Sequence, residues 1–237
     1  MWRWRIRPTS RAGFRGCGRC SVNRRDAPIG SARKLSDPSD NVAGMDLDLF
    51  WGLLDRSASV ASDQPERSSW LTTQLASLPP ADICGFETLL NASRGRVNTY
   101  SHFHAAYVVC DGLCSAEQFL AFQSWVVGLG RSVLASVAAC PDALAEVPAV
   151  RTLLAVGAES WPDGAWPLWE GLGQVAHDAF FTATGRSLEN ALAVLGRVRV
   201  TDADPFTGAV WDLDSPLEAA VRLPRLWELA GGLEEAA

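Results

Sequence analysis

The chain has 237 residues, 48% of them hydrophobic and 20% charged, with a formal net charge of −6. That apolar content supports a real core, and with no run of 18 apolar residues the sequence predicts no membrane span. The charge is unevenly placed: ten basic residues against three acidic ones give 1–44 a charge of +7, which leaves 45–237 at −13 and argues against nucleic acid as a partner of the body.

Residues 1–44 are rich in Arg, Gly, Ser and Pro and lack apolar periodicity. They are expected to form a disordered basic tail. Nucleic-acid binding or an Arg-rich transit peptide would suit such a tail, but a secretory signal would need an apolar stretch that is missing. Cys17-x-x-Cys20 stands there without a second pair to complete a zinc site. The only methionines are Met1 and Met45, and Met45 falls directly ahead of the first periodic helix. The tail is therefore read as an artefact of start-site choice, with 45–237 as a single helical domain. Cys84, Cys110, Cys114 and Cys140 are too few and too scattered for a disulfide framework, so a reducing cytoplasm is expected.

Leu47, Phe50, Trp51, Leu54 and Ala58 predict the first helix of the body, and Trp70, Leu71 and Leu75 the second. Pro79-Pro80 ends that one and opens a third, with Ile83, Phe86, Leu89 and Leu90 as its buried stripe. Tyr100–Val109 reads as an apolar helix, although Tyr107–Val109 fits an extended segment equally. Ser115 and Gln118 form a capping box. It is expected to open the longest helix, carrying Phe119, Phe122, Val126, Leu129, Val133 and Val137. Gly128 and Gly130 inside it predict a kink or the close approach of a neighbouring backbone. Pro141 and Pro148 bracket a short helical segment, and a helix follows over 149–158. Trp169, Leu172, Val175, Ala176, Ala179 and Phe180 give the next, ending near Gly185, and Ser187 starts a shorter one. Ser215-Pro216-Leu217-Glu218 caps a last helix through Leu226-Trp227. The fold class is all-α, a compact bundle of about eight helices with room for one small β-hairpin near 198–211.

The block Tyr107, Asp111-Gly112, Cys114-Ser115, Phe119, Phe122, Trp125 and Gly130-Arg131 resembles the bacterial domain-of-unknown-function family 4240. Phe50-Trp51, the stretch from Glu170 to Phe180 with Thr184-Gly185, Trp211-Asp212 and Leu223–Trp227 fit the same pattern in order. The resemblance covers most of 45–237 and none of 1–44. Three positions depart from the family: Ala116-Glu117 where two acids are usual, Gln123 in place of an arginine, and Leu129 in place of a polar residue. The resemblance implies no substrate, cofactor or reaction.

The chemistry-bearing residues gather near that block. His102, His104, Cys110 and Cys114, with His177 from a distant helix, are all zinc-ligand types, but their spacing is irregular and buried Cys and His are ordinary core residues. Cys114 precedes a helix N-terminus, which would favour a thiolate, with His104 or His177 as base and Asp111 or Asp178 as orienter. Equally, it is a turn cysteine. Glu117 reads as a helix-start charge, and Arg131 as a mid-helix residue paired with Glu170 or Asp178 in the core or with a ligand carboxylate. Asp202-x-Asp204 and Asp212-x-Asp214 lack the other features of a calcium loop. No P-loop, nucleophile elbow or H-E-x-x-H is present, and no lysine follows Lys34. The candidate ligand or partner site is thus His104, Asp111, Cys114, Glu117, Trp125, Arg131 and His177, with no metal, cofactor or catalytic residue assigned. The reading is a non-catalytic module for a basic protein or peptide partner in the cytoplasm. The alternative is a small-molecule enzyme or zinc protein built around Cys114, His104 and His177.

Overall fold

The computed structural model describes residues 41–42, 44–162, 164–196 and 206–231. The tail before residue 41 lies outside them. A two-residue antiparallel ladder opens the described chain, β1 (Asn41–Val42) pairing with β2 (Met45–Asp46) in the register Asn41↔Asp46 and Val42↔Met45.

Side chains that satisfy exposed backbone donors start five of the eleven α-helices among the described residues. Asp46 accepts from the Asp48 N–H at the start of α1 (Leu47–Val60), and Asp63 from Glu66 at the start of α2 (Gln64–Ala76). Pro80 occupies the first position of α3 (Pro80–Gly95), where its missing N–H has no partner to lose. Thr99 caps α4 (Tyr100–Val109). After α5 (Phe119–Gly128) and α6 (Arg131–Ala139) come a 3-10 segment, Pro141–Glu146, and α7 (Pro148–Val156). Then follow α8 (Val175–Thr184), ended by left-handed Gly185, and α9 (Leu188–Val194), capped by Ser187. Ser215 caps α10 (Pro216–Arg222), and α11 (Pro224–Leu229) closes the described chain.

This is an all-α architecture. Helix α3 lies at its centre, touching α1, α2, α5, α8 and α9. Helix α2 makes its broadest contact with α8, and α11 lies on the 3-10 segment. One apolar cluster threads these contacts, from Met45, Phe50 and Phe86 through Phe122, Val126 and Trp169 to Leu223 and Leu226.

Four expectations are corrected. The capping box at Ser115 forms, with Gln118 N–H donating to Ser115 Oγ at 3.2 Å and Ser115 N–H to Gln118 Oε1 at 3.1 Å. It closes a turn, however, and α5 begins only at Phe119. The long helix is also broken rather than kinked, because Gly130 takes φ 103°, a left-handed value that ends α5 and lets α6 start afresh. The neighbour crowding Gly128 is a side chain, not a backbone. A Cβ there would stand 2.5 Å from Trp169 Cε3. Likewise the last predicted helix splits at Leu223-Pro224 into α10 and α11. These breaks supply two of the helices beyond the expected eight, since eleven α-helices stand among the described residues. Of the hairpin near 198–211, the first arm lies outside the described residues, and Ala209–Trp211 carries no strand.

Candidate functional site

Helix α4 ends in the reversal that the sequence singled out. Cys110 closes the helix. Asp111 and Gly112 then take left-handed φ values of 52° and 79°, one tolerated by Asp and the other free for Gly. Gly112 N–H donates to Tyr107 O at 2.8 Å and Leu113 N–H to Cys110 O at 3.0 Å. The turn puts Leu113 outside at 58% exposure and returns Cys114 to the interior at 3%. The Cys110 thiol is pushed far up, first by its hydrogen bond to the Cys114 thiol and then by burial. Asp111 and Glu117 are exposed on either side.

The C-terminal part of the chain lies along α4. Phe206 joins Tyr100, Phe103 and Phe119, with ring centroids 4.9–5.4 Å away. Thr207 bridges to Thr99 and accepts the Tyr100 N–H at 2.9 Å. Trp211 meets His104 edge-on, its centroid 3.7 Å from the imidazole, with the Arg222 guanidinium 5.4 Å from the indole. Burial, with help from the Arg222 charge, lowers the His104 pKa to about 4 against the opposing pull of Asp212 and Glu218. His104 is therefore a neutral ring sealed in the fold. Tyr107 reaches Asp214, and burial followed by that carboxylate raises its pKa. The Asp212 carboxylate accepts the Asp214 N–H at 3.0 Å, an ordinary turn. Asp202 and Asp204 lie outside the described residues.

His102 is fully used inside the fold. Its Nδ1 pairs with Thr99 Oγ1 at 2.7 Å and its Nε2 with Val137 O at 2.9 Å, the arrangement of an Nε2–H tautomer that ties α4 to α6. Burial lowers its pKa as well.

A second polar group, outside the candidate residues apart from His177, is buried on α3. Glu87, Asn91 and Arg94 follow Ile83 at helical spacing along the inner face of α3, and all are buried. Asn91 Nδ2 donates to Glu87 Oε1 at 3.1 Å, and Arg94 donates from Nε to Ser124 Oγ at 3.0 Å and from Nη1 to Asn91 Oδ1 at 3.4 Å. His177, from α8, stands 3.9 Å from Glu87 Oε1. Gln123, also buried, donates to Asn98 at 2.9 Å. The signal was available: positions 83, 87, 90, 91 and 94 share one helix face, so polar residues there had to face the core.

The seven candidate residues thus meet different neighbours. Cys114 faces Cys110, His104 faces Trp211, and His177 faces Glu87. Trp125 is buried beside Phe122, with ring centroids 5.6 Å apart. Arg131 is corrected most. It opens α6 on the surface and pairs with Asp48 at 3.1 Å, with both side chains more than half exposed. Among the described residues, no three His, Cys, Asp or Glu side chains are grouped to hold a metal ion. No described helix is long and apolar enough to cross a membrane.

A family profile described as "Protein of unknown function (DUF4240)" matches residues 45–182, more than half of the chain. The chain belongs to this family. The DUF4240 match starts at Met45 and takes in α1 through most of α8, including the Asp111–Cys114 turn and the buried polar face of α3. It stops short of the segment carrying Trp211 and α10–α11. Neither the curated proteins nor the solved structures contain a match.

Proposed function

We propose that this DUF4240 chain is a non-catalytic binding module of the cytoplasm that docks a basic protein or peptide segment at the α4–α5 turn. The observation that carries the reading is an exposed apolar residue set among carboxylates. Leu113 is exposed in the turn, and the carboxylates of Asp111 and Glu117, before and after it in the chain, are exposed as well. Tyr107 connects that turn to Asp214, since its ring lies against Gly112 and its phenol interacts with the Asp214 carboxylate. An apolar anchor within a negative field suits a cationic segment bearing one apolar side chain, and the −13 of residues 45–237 would steer it inward. The imidazole and thiols nearest the turn are engaged by Trp211 and by each other, which favours recognition over chemistry.

The test is affinity capture with the full chain at low salt, beside a variant carrying Asp111→Asn, Leu113→Ser and Glu117→Gln. A stoichiometric partner with a basic contact segment, released by salt and lost with the variant, is expected. No partner at stoichiometry, or one that the variant holds equally well, would overturn the reading.

A further inference from the structure

Cys110 and Cys114 are brought together by the reversal between α4 and α5. The two left-handed residues and the Leu113 N–H to Cys110 O bond form the reversal, and across it the Cys110 thiol is hydrogen-bonded to the Cys114 thiol. Both thiols are free and buried, at 0% and 3% exposure, and Cys114 Sγ lies 3.7 Å from Ser115 O. Cys84 and Cys140 lie elsewhere, Cys84 within α3 and Cys140 at the end of α6, 3.9 Å from an Arg225 nitrogen.

We propose that Cys110 and Cys114 form a dithiol that closes to an internal disulfide in the presence of a low-molecular-weight disulfide such as glutathione disulfide. The inference does not depend on the docking reading. Exchange takes two steps. Cys114, the less deeply buried thiol, loses its proton and attacks one sulfur of glutathione disulfide. A mixed disulfide forms, and a glutathione thiolate leaves and takes up that proton. Cys110 then attacks Cys114 Sγ and expels the second glutathione thiolate, which takes the Cys110 proton. The two cysteines lose two electrons and one glutathione disulfide is reduced to two glutathiones. Burial makes the first step slow, because the Asp111–Leu113 turn has to open before the oxidant reaches Cys114.

The full chain is incubated, folded, in glutathione redox buffers, quenched in acid, alkylated and cut with trypsin. Cleavage after Arg96 and Arg131 yields a Val97–Arg131 peptide whose only cysteines are Cys110 and Cys114. In oxidising buffers that peptide is expected to lack alkyl groups and to be lighter than its reduced form by two hydrogen atoms. Cys110→Ser should trap Cys114 as the glutathione mixed disulfide, and Cys114→Ser should leave Cys110 open to alkylation. The proposal is overturned if the wild-type peptide keeps two alkyl groups in buffers that oxidise dithiothreitol, or if it stops at a glutathione adduct.

Discussion

Replacing Gly128 by alanine sets two effects against each other. By helix propensity alone, alanine near the end of α5 should stabilise the protein by up to about 1 kcal/mol. The new methyl group, however, meets the six-membered ring of Trp169, 2.5 Å from Cε3, and that indole is only 1% exposed. Nor is the ring free to swing aside. Its Nε1 donates to Ser68 Oγ at 2.8 Å, and the Arg67 guanidinium lies 4.3 Å from the ring while donating to Gly128 O at 3.0 Å. Overpacking typically costs about 1–3 kcal/mol. A strained indole hydrogen bond and cation–π contact add about 1 kcal/mol more. Net of propensity, Gly128→Ala is expected to destabilise by about 2 kcal/mol, read by urea unfolding, and to lower Tm by roughly 4–8 °C. In a Trp169→Leu background the same substitution should cost at least about 1 kcal/mol less, a coupling that a double-mutant cycle isolates. A Gly128→Ala protein more stable than wild type, or an equal cost in both backgrounds, would refute the packing account.

The His104 pKa, depressed to about 4 in the folded chain, has a defined sign. Its stabilising contribution is full above pH 6.5, where unfolded histidine is also neutral, and is lost as pH falls toward 4, with about 2 kcal/mol of it already lost at pH 5. His104→Leu should remove that part of the decline between pH 7 and 5 in chemical denaturation, leaving the smaller same-signed share of His102. Asp142, only 5% exposed, accepts the backbone N–H groups of Arg225 and Leu226 and the Arg225 side chain. Asp142→Ala should cost about 2–4 kcal/mol, and trypsin should then cut after Arg222 or Arg225 in the otherwise native protein. Arg131→Ala breaks only the exposed pair with Asp48 and should change urea stability by less than about 1 kcal/mol.

Elements set by local chemistry were readable in the chain. Proline at the head of α3 and serine before α9 and α10 act within one helical turn, and α4 emerged with the bounds its apolar run suggested. The break at Gly130 was not readable, because Leu134 and Val137 continue the apolar spacing of α5 and a left-handed φ leaves no mark on that periodicity. For the site, the Asp111–Cys114 turn was legible as a turn, whereas the meeting of the Cys110 and Cys114 thiols depends on the left-handed φ values at 111 and 112, which spacing does not encode. Arg131 lies at a helix start on the surface, not mid-helix in the core, because the helix breaks at Gly130. Glu87, Asn91 and Arg94 share the inward face of α3 with its apolar members, so their burial follows from helical spacing, whereas their partners on α5 and α8 do not.

The grip of Asp142 on the start of α11 bears on how the protein should be produced. The aspartate lies inside the stretch that the DUF4240 profile covers, whereas the donors it binds lie more than forty residues past that stretch. A gene trimmed at residue 182 would strand this carboxylate, strip the indole lid from His104 and bare the hollow now plugged by Leu223 and Leu226. Recombinant work on the helical body is therefore best begun from a product that keeps everything through Gly231.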